Sequence, residues 1–193
     1  MHNEMQARRT ALVGLVMAAV SLAACGGTKT RYIHPNADLG AIKKVAVLPF
    51  ENLSQDQTAS ERVQSLFLVE LLSKNAFEVV EPGQVKKVLQ GARIQSTASL
   101  GPGDFKALGE ELVVDGFFLG TVVDFGAVES GSSTLQVTIQ LRLVEAASGA
   151  TVWSASESSG GSSFWRRMFG VEGKSLSEVA SELLRRELGS LVD

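Results

Sequence analysis

Across residues 134–145 the chain alternates without a break: Leu135, Val137, Ile139, Leu141 and Leu143 are apolar, while Gln136, Thr138, Gln140 and Arg142 between them are polar. A period of two puts the two sets on opposite faces of one strand. One face must pack on a core and the other must meet water or a partner. This strand commits the protein to a sheet with unlike faces and makes Gln136, Gln140 and Arg142 candidate partner-binding residues.

The flanking sequence supplies the rest of a domain. Residues 44–50 form a short β-branched run ended by Pro49 and Phe50, which reads as a buried strand. Thr58 and Glu61 have capping-box spacing, and Ala59, Val63, Leu66, Phe67 and Leu71 follow at helical intervals. A second strand is expected at 77–80, then a short helix opened by Pro82 and carrying Val85, Val88 and Leu89. A third helix spans 104–112, with Phe105 and Leu108 inward. A nearly all-apolar strand follows at 115–125, and beyond the alternating strand Ser148 and Gly149 turn the chain into another at 151–158. Ser175 and Glu178 make a second capping box before a helix whose stripe is Leu176, Val179, Ala180, Leu183, Leu184, Leu188 and Leu191. The order β-α-β-α-α-β-β-β-α implies a single α/β domain over 43–193, a mixed sheet with helices mainly on one face.

The amino-terminal residues say where such a domain works. Arg8 and Arg9 precede an apolar run over 11–20, and Leu22-Ala23-Ala24-Cys25 closes it. A basic start, a short apolar stretch and small residues describe a secretory signal peptide over 1–24. The run is too short for a convincing membrane span. Ending in cysteine, it resembles the lipobox of bacterial lipoproteins, which implies that Cys25 is the lipid attachment site, carries a covalent diacylglycerol and acyl lipid, and begins the mature chain. Residues 25–42 are polar and without period, and read as a lipidated cysteine plus flexible tether. Fifteen such residues reach about 50 Å extended and about 20 Å as a relaxed coil.

Composition removes several function classes. Cys25 is the only cysteine, so no disulfide is available and the fold must stand on its core. Only His2 and His34 are present, the first lost with the signal, which rules out a Cys/His nucleophile pair and an ordinary structural zinc site. Catalysis by carboxylates alone would need two acids at catalytic separation, and nothing pairs them by spacing. The net charge of −3, with no basic cluster, argues against nucleic acid as a partner. Gly173-Lys174-Ser175 lacks the upstream glycine of a phosphate-binding loop, where Met168 stands, and Gly101-Pro102-Gly103 lacks the strand and third glycine of a dinucleotide site. Both read as helix starts. Phe164, Trp165, Arg166, Arg167 and Phe169 put aromatic and basic groups in one short segment, which suits a membrane interface or a partner hot spot.

Several stretches together carry a family resemblance. They are Lys44-Val45-Ala46-Val47-Leu48-Pro49-Phe50-Glu51-Asn52, then Phe77-Glu78-Val79-Val80-Glu81, Val114-Asp115-Gly116 with Gly120, and Val137 on to Ser148-Gly149 and Val152-Trp153. In this order, behind a lipobox, they resemble the lipoprotein family of CsgG, which serves curli secretion, and HfaB, which serves holdfast anchoring. The penicillin-binding-protein activator LpoB is related. The resemblance implies a domain like the amino-terminal domain of TolB, and an outer-membrane lipoprotein facing the periplasm. It would act without catalysis, by contacts with envelope or secretion proteins, in assembling, secreting or anchoring a surface structure. The alternative it implies is an LpoB-like regulator of peptidoglycan synthesis. Gly26, where retained inner-membrane lipoproteins often carry aspartate, agrees with the outer membrane. Two departures narrow the carry-over. The connection at 126–133 is far too short for a spanning hairpin, whose strands need about 9–11 residues each, and the tether is short for reaching a distant synthase. Homo-oligomerisation stays open.

Overall fold

The computed structural model describes residues 29–130, 132–160 and 175–192. The alternating segment lies near the middle of a seven-stranded mixed sheet. In chain order the elements are β1 (Lys29–Ile33), β2 (Lys44–Val47), β3 (Glu51–Asn52), α1 (Ala59–Lys74), β4 (Glu78–Val79), α2 (Pro82–Gly91), α3 (Pro102–Leu112), β5 (Gly116–Ser130), β6 (Ser132–Glu145), β7 (Thr151–Gly160) and α4 (Leu176–Val192). The strands run β1-β7-β6-β5-β2-β4 across the sheet, with β3 also against β5. The β1, β7, β6 and β5 block is antiparallel, while β2 and β3 lie parallel to β5 and β4 parallel to β2. The mixed α/β domain expected from the pattern is therefore present.

The apolar set of β6 packs as its period demands. Val137, Ile139, Leu141 and Leu143 join Phe118, Val122 and Trp153 beneath α1 and α4, with Phe67, Leu71, Leu183 and Leu184 interlocked above them. A second core lies on the opposite face, where Phe117, Leu119 and Val144 meet Val85, Leu89, Phe105, Leu108 and Leu112 of α2 and α3. Two helices thus cover each face, correcting the expectation of helices mainly on one. The physical reason is that β2 and the start of β5 are apolar on both sides: Val45, Val47 and Phe118 enter one core, Ala46, Leu48 and Phe117 the other.

Three further corrections bear on the site. Residues 29–33 lie inside the segment read as a tether, yet they form β1, paired antiparallel with β7 from Lys29 opposite Glu157 to Ile33 opposite Trp153. Their composition hides this because none of residues 30–33 is buried, so the strand shows no apolar period. The capping box at Thr58 does not form: Thr58 itself has helical backbone angles and no side-chain cap bond. Asp56 takes the role, accepting from the Thr58 amide at 2.9 Å, the Thr58 hydroxyl at 2.8 Å and Arg62 at 2.9 Å. The box at Ser175 does form, with Glu178 accepting from the Ser175 amide at 2.7 Å and Ser175 Oγ accepting from the Glu178 amide at 3.2 Å. Finally, residues 126–133 are largely strand, since β5 and β6 stay paired out to Ser130 opposite Ser132. The pair overhangs the end of β7 by only about four residues, well short of a bilayer-spanning strand.

Asp115 sets the relation of β2 to β5. Its Oδ2 accepts from the amides of Lys43 and Lys44 at 2.9 and 2.8 Å, and those bonds, Lys44 first, hold the carboxyl below its ordinary pKa. Among the described residues no helix is long and apolar enough to cross a membrane. Packing of β5 is tightest at Gly120, where an added Cβ would lie 2.5 Å from the Phe50 ring. Gly120→Ala is expected to cost about 1–3 kcal/mol by overpacking, and Phe50→Leu in the same chain to recover part of it. Urea midpoints of the single and double variants check this.

Candidate functional site

The polar set of β6 lies on the face that α2 and α3 only partly cover. Beyond Leu119 and Val144 the second core ends, and the open face is floored by side chains held in register across four strands. Thr121 stands opposite Gln140 and Gln140 opposite Ser156, with Thr30 opposite Ser156 in turn. One row along, Leu119, Arg142, Ser154 and Tyr32 are aligned in the same way. Thr30, Thr121, Gln140, Arg142, Ser154 and Ser156 line a groove of about 560 Å³, with Glu51, Thr97 and Ala98 along one wall. That volume is in the range of ligand-binding clefts, and its polar side chains share the lining with Leu119, Gly120 and Ala98.

Glu51 organises that wall. Its Oε1 accepts from the Thr97 hydroxyl at 2.9 Å, the Ser96 hydroxyl at 3.0 Å, and the amides of Thr97 and Ala98 at 3.1 Å each. Burial pushes the Glu51 carboxyl up, but the hydrogen bonds from Thr97, Ser96 and Ala98 outweigh it and hold the pKa below the ordinary value. Thr97 is buried and its hydroxyl also lies 3.1 Å from the Pro49 carbonyl, so the single turn at 97–99 is tied to the end of β2. The groove therefore carries one carboxylate in its wall, Glu51, and one cation on its floor, Arg142. Strand spacings place the Glu51 and Arg142 backbones about 12 Å apart, two strands over and two residues along.

Of the residues singled out from the sequence, the structure brings Gln140 and Arg142 together in this groove. Gln136 lies apart, farther along β6, where its amide donates to Asp124 at 3.2 Å. Thr138 between them is engaged with the Ser158 hydroxyl at 3.0 Å. Cys25, Phe164, Trp165, Arg166, Arg167 and Phe169 lie outside the described residues. Sequence reasoning missed Thr30, Glu51, Thr97, Ser154 and Ser156. The serines had a local signal, because Ser154 and Ser156 alternate with Trp153 and Ala155 on β7. Glu51 and Thr97 had none, being far apart in the chain.

The depressed pKa of Glu51 fixes the sign of a pH effect. A carboxyl whose folded pKa is below its unfolded value stabilises the fold above the unfolded pKa, and that contribution is lost as pH falls through the folded one. Glu51→Gln is therefore expected to cost about 1–2 kcal/mol at neutral pH by weakening charge-assisted bonds. The gap to the parent should close at acid pH, below the ordinary glutamate range. Thermal melts of both chains across that range check it.

Comparison with known proteins follows the same sheet. The family model described as peptidoglycan-synthase activator LpoB matches residues 30–158, from β1 through β7. No curated protein matches. Among solved structures, a PelC dodecamer from Paraburkholderia phytofirmans is similar with a TM-score of 0.57 at 22% identity, covering 86% of this chain and 97% of that one. Lipoprotein GNA1162 from Neisseria meningitidis is similar with a TM-score of 0.54 at 18% identity, covering 77% and 99%. The LpoB carboxy-terminal domain from Escherichia coli aligns with a TM-score of 0.49 at 16% identity, covering 66% and 90%. At these identities the structural likenesses speak to fold alone. Nothing in the comparisons supports assignment to CsgG or HfaB, so the resemblance read from the sequence narrows to its LpoB-like part. The match over most of the chain makes it a member of the peptidoglycan-synthase activator LpoB family.

Proposed function

We propose that the protein is a lipid-anchored activator of a peptidoglycan synthase, binding its partner through the open sheet face without catalysing a reaction itself. The observation that carries this reading is the extent of the family match, which takes in every strand that floors the groove. Acylated Cys25 would hold the domain at the outer membrane, facing the periplasm. Arg142, half-buried on the groove floor next to Gln140 and Ser154, has the character of an interface hot spot: a planar cation with amide and hydroxyl groups beside it.

The test is glycan polymerisation by a purified bifunctional synthase from the same organism, with and without the mature chain. The chain is expected to raise the rate, and Arg142→Ala to lower the stimulation about tenfold while leaving the melting curve in place. No stimulation and no complex with a folded chain would overturn the reading.

A second reading keeps the role in assembling, secreting or anchoring a surface structure as a homo-oligomer. It is favoured by the fold shared with the PelC dodecamer over nearly all of that chain. Mass photometry of the acylated protein in mild detergent separates the two. Closed rings would support the assembly role, and a monomer at all concentrations would end it.

A further inference from the structure

We propose that β1 is a membrane-docking edge, laid against the phospholipid leaflet in which the chain is anchored. The inference rests on the acylation of Cys25 and goes beyond the contact with a synthase. Among the described residues β1 is an outermost strand, paired only with β7. Thr30, Arg31, Tyr32 and Ile33 are all exposed, although successive residues point to opposite faces. Tyr32 is 45% and Ile33 40% exposed, one on each face, so an aromatic and an aliphatic group stand partly open on the rim of the sheet.

The spacer says what covers them. Only three residues separate Cys25 from Lys29, the first of β1, so an acylated Cys25 lies within about 14 Å of the strand even when that stretch is fully extended. The edge of the sheet is thereby confined to the membrane surface, at an effective concentration that turns a weak contact into a populated one. The composition of β1 fits that surface. Tyrosine favours the headgroup region, Ile33 can enter the acyl boundary, and Arg31 is of the sign that complements anionic headgroups. Lysine and arginine on an edge strand also deter pairing with other strands. That accounts for the charges, but it does not explain why Tyr32 and Ile33 are left partly open.

The experiment uses the acylated chain in phosphatidylethanolamine vesicles containing phosphatidylglycerol. With Cys25 acylated, an introduced cysteine is the only free thiol, so Ile33→Cys on β1 and Lys86→Cys on the far-side helix α2 can each carry one fluorophore. A quencher borne on the lipid near the headgroup is expected to quench position 33 at least about threefold more than position 86. Equal quenching at both positions would overturn the proposal. So would self-quenching between labelled copies at position 33, which would show that a second chain covers the edge. The intact mass of the same samples reports acylation separately. A chain without the lipid mass would refute the anchor itself, and a lipidated chain with equal quenching would refute only the docking edge.

Discussion

Everything in this fold hangs on the pairing of β5 with β6. The two strands stay in antiparallel register from Gly116 opposite Glu145 to Ser130 opposite Ser132, and each contributes to both faces of the sheet. On one face they supply Phe118, Val122, Val137, Ile139 and Leu143 to the core under the two longest helices. On the other they supply Phe117, Leu119 and Val144 to a smaller core under two shorter ones. The groove is a by-product of that inequality. Helices α2 and α3, with 10 and 11 residues, cover the sheet only near β2 and the start of β5, whereas α1 and α4, with 16 and 17, cover the other face as far as β7. Where the short helices stop, the alternating positions of β6 turn from Val144 to Arg142 and Gln140. The polar residues do not create the opening; they make it tolerable in water, and by the same chemistry they equip it for a polar partner.

One irregularity keeps both faces consistent. The register between β5 and β6 shifts between Val122 and Asp124. Strict alternation would carry Asp124 into the large core behind Val122 and turn Phe125 out. The bulge reverses this, so that Phe125 is buried beneath Arg62, whose guanidinium lies 4.8 Å from the ring centroid. Asp124 is delivered to the polar face, where Gln136 meets it. A single added residue thus spares the core an unpaired carboxylate, which would cost several kcal/mol if left buried.

What could be read from the sequence was what is local and repeated. The alternation of β6 fixes its two faces in any fold that uses it, and the Ser175 and Glu178 box closes within one turn, so both appear as expected. The Thr58 box has the same spacing and fails, because Asp56 stands two residues upstream and offers a charged acceptor that the Thr58 hydroxyl itself binds. Local pattern alone does not arbitrate between two competing caps. β1 is invisible for the opposite reason: it has no buried face, so selection leaves no period in its side chains. The wall of the groove was beyond reach because the bond between Glu51 and Thr97 closes a long loop through the Pro49 turn, a contact with no short-range signature.

The hidden strand changes what an activator of this shape would have to do. A long free tether would let the domain search the space beneath the membrane for its partner. With β1 built into the sheet, only three residues lie between Cys25, the proposed site of acylation, and the fold, and a domain so anchored would lose that search. On the proposed acylation of Cys25 its orientation would be restricted as well, because the chain enters the sheet at β1 and the groove floor begins on that same strand, at Thr30. Arg142 lies two strands in from the edge, across β7, which places it about 10 Å from β1 along the sheet. On the proposed reading the synthase must therefore bring its contacting surface to the membrane-proximal side of the periplasm. The immobilised groove then gains in return: a partner that arrives there meets a preoriented face, without the rotational freedom that a tethered domain would have to lose on binding.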